Sequence, residues 1–170
     1  ELLAHPELEN AACVVVGTGI GGAMILNGRL HRGKHHLGGE FGYMLLSEPA
    51  ETLGNWSLLA STGSLVRSVQ ASTGSQDWNG KKIYDAAAAG NETCQAAIEQ
   101  MNRNLAKGLL NIQYLFDPDV ISLGGSISQN KTFIEGVRSA ISYFVDRYEE
   151  YSVTPEIVAC TYQGEANLYG

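Results

Sequence analysis

Cysteines, cationic side chains and long apolar runs are all scarce in this chain, and each scarcity excludes something. The three cysteines, Cys13, Cys94 and Cys160, are odd in number, far apart and set in apolar company. Neither a disulfide framework nor a C-x-x-C zinc clamp can be built from them, and they are expected to be buried free thiols in a reducing, cytoplasmic compartment. No apolar run approaches membrane-spanning length, and no signal-peptide pattern is expected at the start. Lys and Arg number 11 against 18 Asp and Glu, for a net charge of −7. That balance disfavours non-specific binding to nucleic acid or to anionic membranes. Charged residues reach only 17% against 44% hydrophobic ones, which is a globular composition for one domain with a real core. The chain opens on Glu1 and closes on Leu168-Tyr169-Gly170; both ends are expected to be cuts through a longer protein.

Glycine, by contrast, is plentiful and clustered. Residues 14–30 read VVVGTGIGGAMILNGRL, in which Gly17, Gly19 and Gly22 satisfy G-x-G-x-x-G. The surrounding pattern predicts a strand at Ala12–Val16, a second apolar strand at Ala23–Leu26 and an Asn27-Gly28 hairpin turn. Arg29–His31 would return as a third strand, and Tyr43–Leu46 could form a short one. Helical spacing runs from Ser57 to about Ala71, through Lys81–Ala89, and from an Asn91 N-cap to about Phe116. Val120–Leu123 reads as a buried strand entering Gly124-Gly125. A helix capped by Asn130 and ending near Tyr148, then a strand at Ile157–Cys160, complete an α/β chain with a mixed sheet.

The dinucleotide reading of the glycines fails on context. It requires the N-terminus of a helix after the glycines and an acidic residue about twenty positions on. Here Gly22 is followed by Ala-Met-Ile-Leu and a hairpin, Glu40 lies in a glycine-rich loop, and no Walker lysine is present. A tight Gly-Thr-Gly turn can still present backbone N–H groups and a hydroxyl to a phosphate. A purely structural hairpin is the alternative.

Three blocks together carry a resemblance. They are GTGIGGAMILNGRLHRGKHHLGGEFGYM at 17–44, FDPDVISLGGS at 116–126 and YQGEANLYG at 162–170. In this order and spacing they resemble the signature of the ROK family (repressors, open reading frames, sugar kinases). The resemblance implies the actin-like (ribonuclease-H-like) ATPase and sugar-kinase fold, with this chain matching only the C-terminal lobe. It further implies ATP, Mg²⁺, a sugar or glycoside substrate and a homodimer. The general-base aspartate and the first phosphate loop would belong to a segment before Glu1, so residues 1–170 alone are expected to be inactive. A sugar-sensing domain of a repressor in the same family is the alternative, and nucleic acid would be a partner only there.

Carried over residue by residue, the resemblance assigns Gly17, Thr18 and Gly19 to phosphate, and Gly124, Gly125 and Ser126 to adenosine. Gly39, Glu40, Tyr43 and Ser57 fall to the sugar. Glu40 suits a vicinal diol because a carboxylate accepts from two adjacent hydroxyls. Tyr43 stands where the family's zinc-binding histidine is expected, and residues 44–60 contain no cysteine. A structural zinc site cannot be assembled there, and a zinc-free member is expected. Ser57 stands where a sugar-binding glutamate is usual, which implies a roomier pocket and a glycoside or disaccharide substrate. His31, His35 and His36 are expected at the surface or the cleft rim, and Trp56 and Trp78 in packing.

Overall fold

The computed structural model describes residues 8–47, 54–147 and 153–161. Strands β1 (Ala11–Val16), β2 (Ile20–Leu26) and β3 (Arg29–His31) form an antiparallel meander. The β2–β3 turn is Asn27-Gly28, with φ of 52° and 69°, the doubly left-handed conformation that makes Asn-Gly the favoured two-residue hairpin turn. After a 3₁₀ turn at Phe41–Tyr43 come β4 (Leu45–Ser47) and β5 (Gly54–Asn55), paired as a small ribbon. Four helices follow: α1 (Trp56–Ala60), α2 (Thr62–Thr73), α3 (Gly80–Ala88) and α4 (Glu92–Phe116). Strand β6 (Val120–Gly124), a 3₁₀ turn at Ser126–Gln129, α5 (Lys131–Val145) and β7 (Ile157–Ala159) complete the order.

The main sheet runs β3-β2-β1-β6-β7, with β6 parallel to both β1 and β7. This is the expected mixed α/β sheet with helices packed on it. The helix α4 is the centre of the helical layer, touching α1, α2, α3 and α5. Leu105, Leu109 and Ile112 on α4 are fully buried with Val14, Ile121, Leu123 and Phe133. Trp56 is also fully buried, its indole N–H donating to the Asn104 carbonyl at 3.0 Å. Its ring occupies the space over Gly108, where a Cβ would stand 2.1 Å from the indole. Asparagines cap four of the helices: Asn55 on α1, Asn79 on α3, Asn91 on α4 and Asn130 on α5. Each side chain accepts a backbone N–H that the first helical turn leaves without a partner.

Several expectations need correction. The predicted helix from Ser57 to Ala71 is two helices, because Ser61 is extended (ψ 163°) and caps α2 by accepting from Ser64 N at 3.0 Å. The break shifts the helical phase, so Leu58 is exposed rather than buried. Strand β2 begins at Ile20, three residues earlier than expected, drawing Gly21 and Gly22 into the ladder opposite Val15 and Val14. Tyr43 ends a 3₁₀ turn instead of opening a strand, since Phe41 must turn inward to reach Gly22. Helix α5 ends at Val145. The expected motif at 162–170 lies outside the described residues.

Candidate functional site

The turn between β1 and β2 lies at the C-terminal edge of the parallel pair β1–β6, where α/β sheets commonly place ligands. Gly17 N donates to Gly19 O at 2.9 Å, which closes the turn. No bond from the Thr18 or Gly19 amide occurs among the described residues. Thr18 is exposed. From α2, Thr62 N donates to Gly17 O at 2.8 Å, and Gly63 lies so close that a Cβ would stand 2.4 Å from Thr18 O. The turn is therefore held from behind by backbone. Neither Gly17 nor Gly19 has a positive φ, and nothing lies within 4 Å of a Cβ built on Gly17. The fold itself thus does not require glycine at position 17.

On the β1 side, Gly124 pairs opposite Val15. Gly125 takes φ 91° and would place a Cβ 2.3 Å from Val16 O, so two separate constraints require glycine there. The 3₁₀ turn from Ser126 is fastened by Ser128 Oγ donating to Gly125 O at 2.7 Å. A cavity of about 430 Å³ opens beside it, lined by Ser126, Ile127, Gln129 and Asn130 together with Lys81 and Tyr84 from α3. The sequence names Ser126 as a candidate but not Lys81 or Tyr84, because nothing in their local pattern ties α3 to a loop more than 40 residues away.

On the β2 side, the 3₁₀ turn packs onto the strand. Gly39 (φ 93°) would place a Cβ 2.7 Å from Ala23 Cα, and Gly42 would place one 2.1 Å from Ile20 O and 2.3 Å from Ser57 Oγ. These close approaches present Glu40 outward and exposed, its carboxylate without a hydrogen bond or ion pair among the described residues, while its backbone N–H donates to Leu37 O and its carbonyl accepts from Tyr43 N. Tyr43 is exposed beside it. Ser57 has a structural bond as well: its hydroxyl accepts from Ile20 N at 2.8 Å and donates to Ile20 O at 3.2 Å. Only the remaining lone pair of that hydroxyl is left for another donor. The described residues hold no group of three or more metal-ligating side chains. His31, His35 and His36 are exposed.

Two segments distant from the Gly17–Gly19 turn thus flank it: Gly124–Ser126 against Val16 on the β1 side, and the Gly39–Tyr43 turn with Ser57 against Ile20 and Ala23 on the β2 side. No helix among the described residues is long and apolar enough to cross a membrane.

A profile of the ROK family matches residues 3–170. The crystal structure of a ROK family protein from Streptococcus pneumoniae TIGR4 in complex with sucrose superposes with a TM-score of 0.95. It is 72% identical, the match covering 99% of this chain and 58% of that one. A ROK family glucokinase from Streptomyces griseus, in complex with glucose and AMPPNP, superposes with a TM-score of 0.84 at 25% identity, over 95% and 59% of the two chains. A beta-glucoside kinase from Listeria monocytogenes is 32% identical over 170 residues, 96% of this chain and 55% of its own length. The chain spans a little over half the length of each of these three.

Proposed function

Because the chain belongs to the ROK family, we propose that it is the C-terminal lobe of an ATP-dependent kinase acting on a sugar or glycoside hydroxyl. The observation that carries this reading is the flanking of the turn by the other two segments. The adenosine candidates adjoin β1, the phosphate candidates occupy its end, and the sugar candidates adjoin β2. A nucleotide laid from the adenosine candidates to the turn would direct its terminal phosphate toward the sugar subsite. In-line phosphoryl transfer needs such an arrangement, since positioning and charge stabilisation dominate its catalysis.

In this reading ATP, when bound with Mg²⁺, supplies the phosphoryl group. The Thr18 and Gly19 amides and the Thr18 hydroxyl donate to phosphate oxygens, and Gly17 keeps side-chain atoms out of their way. Gly124 and Gly125 let the nucleoside approach the backbone, with Ser126 beside it. Glu40 accepts from two neighbouring sugar hydroxyls, and Tyr43 and Gly39 shape the rim. No residue of this chain is assigned the general base. Removing a base alone costs roughly 10²–10⁴ in rate, so residues 1–170 alone are expected to be inactive.

The substrate of this reading is a glycoside or disaccharide. The short, uncharged side chain of Ser57, standing where a glutamate is usual, leaves width at the pocket. Relatives in complex with sucrose or named as acting on beta-glucosides support it. The same reading includes a homodimer, on the family resemblance, a cytoplasmic location, on the isolated cysteines, and a zinc-free site, because Tyr43 replaces the histidine and residues 44–60 hold no cysteine. The test is phosphorylation by the intact parent protein of a β-glucoside and of free glucose. Faster turnover of the glycoside is expected, and a strong preference for glucose would overturn the substrate class. Sugar binding without any phosphoryl transfer would favour the sugar-sensing alternative.

A further inference from the structure

We propose that the groove enclosed by α3, α4 and α5 binds a small, uncharged, planar molecule with adjoining N–H and C=O groups, an aromatic carboxamide or lactam. The groove lies apart from the phosphate and sugar candidates but adjoins the cavity beside Ser126, with Tyr84, Asp85 and Asn130 lining both.

The groove has a volume of about 700 Å³, within the range of small-molecule sites. Its walls include Ala87 and Ala88 of α3, Ile98 of α4, and Gly136 and Ala140 of α5. Small apolar residues on facing helices make a slot suited to a flat body. The ionic groups around it are already paired. The Arg103 guanidinium lies 2.6 Å from Glu99 and 4.4 Å from the centre of the Tyr143 ring, and Asp85 meets Lys81 at 2.6 Å. Glu99, Arg103, Asp85 and Tyr143 all line the groove, so it offers no unpaired charge to an ionic ligand.

Two polar groups on its lining residues remain without partners. The Tyr84 hydroxyl and Asn102 Oδ1 are buried and make no hydrogen bond among the described residues; Asn102 is only 5% exposed. Buried polar atoms in native proteins are nearly always bonded, so two orphans on residues lining one cavity call for a common explanation. Asn102 has a built seat, because a Cβ on Gly136 would stand 2.4 Å from its amide nitrogen. Burial pushes the Tyr84 phenol above its ordinary range, keeping the hydroxyl a donor at neutral pH. Oδ1 can only accept, and the phenol can donate. A ligand that gives an N–H to the first and a C=O to the second would satisfy both.

The experiment titrates the intact protein with benzamide, which has both groups, and with methyl benzoate, which has the carbonyl but no N–H. Saturable benzamide binding is expected, with methyl benzoate weaker by about tenfold or more, the value of a hydrogen bond to an otherwise unsatisfied buried group. Tyr84→Phe should weaken benzamide at least about threefold, while its ligand-free melting midpoint stays unchanged or rises. A merely structural hydroxyl would do the opposite. Asn102→Leu, if folded, should weaken benzamide by about tenfold; otherwise the Tyr84→Phe and methyl benzoate comparisons decide. Equal binding of benzamide and methyl benzoate, no saturable benzamide binding, or one-for-one displacement of benzamide by AMPPNP would each overturn the proposal.

Discussion

At Gly17 and Gly21 nothing lies within 4 Å of where a Cβ would stand, whereas at Gly42, Gly63, Gly108 and Gly125 a Cβ would meet another atom at 2.1–2.4 Å. One residue type thus serves two regions under opposite constraints. In the seams around the site, glycine lets backbones and the Trp56 indole approach closely, so substitution there should be felt as lost stability. At the β1–β2 turn the chain itself makes no such demand, so substitution should be felt by what binds. The contrast separates packing from function within a few residues of sequence, which a glycine count cannot do.

The largest effect expected from this contrast is at Gly108→Ala. Its methyl would overlap the indole, costing roughly 3 kcal/mol of overpacking and lowering the melting midpoint by several degrees. A melting curve that matches the parent chain's would break the packing half of the comparison. Gly17→Ala should do the reverse. Stability should stay within about 0.5 kcal/mol, while phosphoryl transfer by the intact parent falls on the order of 10²-fold, the usual result of disturbing preorganised donors. Full activity in a Gly17→Ala enzyme would return the turn to a structural role.

Glu40→Gln tests the sugar end more gently. The carboxylate has no partner within the described chain, so thermal stability should not move. The Michaelis constant for sugar should rise roughly tenfold, as charge-assisted hydrogen bonds contribute about 1.5–3 kcal/mol. An unchanged constant would remove Glu40 from the site. The smallest effect is one of pH. The Tyr84 phenol, raised by desolvation above its ordinary 10.0, stays protonated in the folded state after the unfolded phenol has begun to ionise. The folded state then binds more protons than the unfolded one, so stability is full below pH 10 and falls as pH rises further. Alkaline denaturation of Tyr84→Phe should show a shallower decline, and identical profiles would argue that the phenol reaches water.

Much of the fold was legible because it is local. The Asn27-Gly28 turn, the caps Asn91 and Asn130, and the buried run Val120–Leu123 each follow from a few neighbouring residues, and all appear where expected. The candidate site was legible as motifs, but its layout was not. Helical spacing puts Thr62 and Gly63, which hold the turn from behind, in the interior of a helix. That helix breaks because Thr62 N donates to Gly17 O, 45 residues earlier in the chain, and periodicity cannot register such a bond. The family resemblance places Ser57 at the sugar, and only the structure shows its hydroxyl bonded twice to Ile20.

The sequence by itself determined the α/β class, the order of strands and helices, and the failure of the dinucleotide reading, since a strand and a hairpin follow the glycines. Tertiary structure decided which glycines are packing residues and which stand in open space. It also placed Gly125 against Val16 and Gly42 against Ile20, setting the adenosine and sugar candidates on opposite flanks of one turn. The reason is the range of the forces involved: turn and helix preferences act over a few residues, whereas steric contact and hydrogen bonding between segments depend on where the whole chain goes.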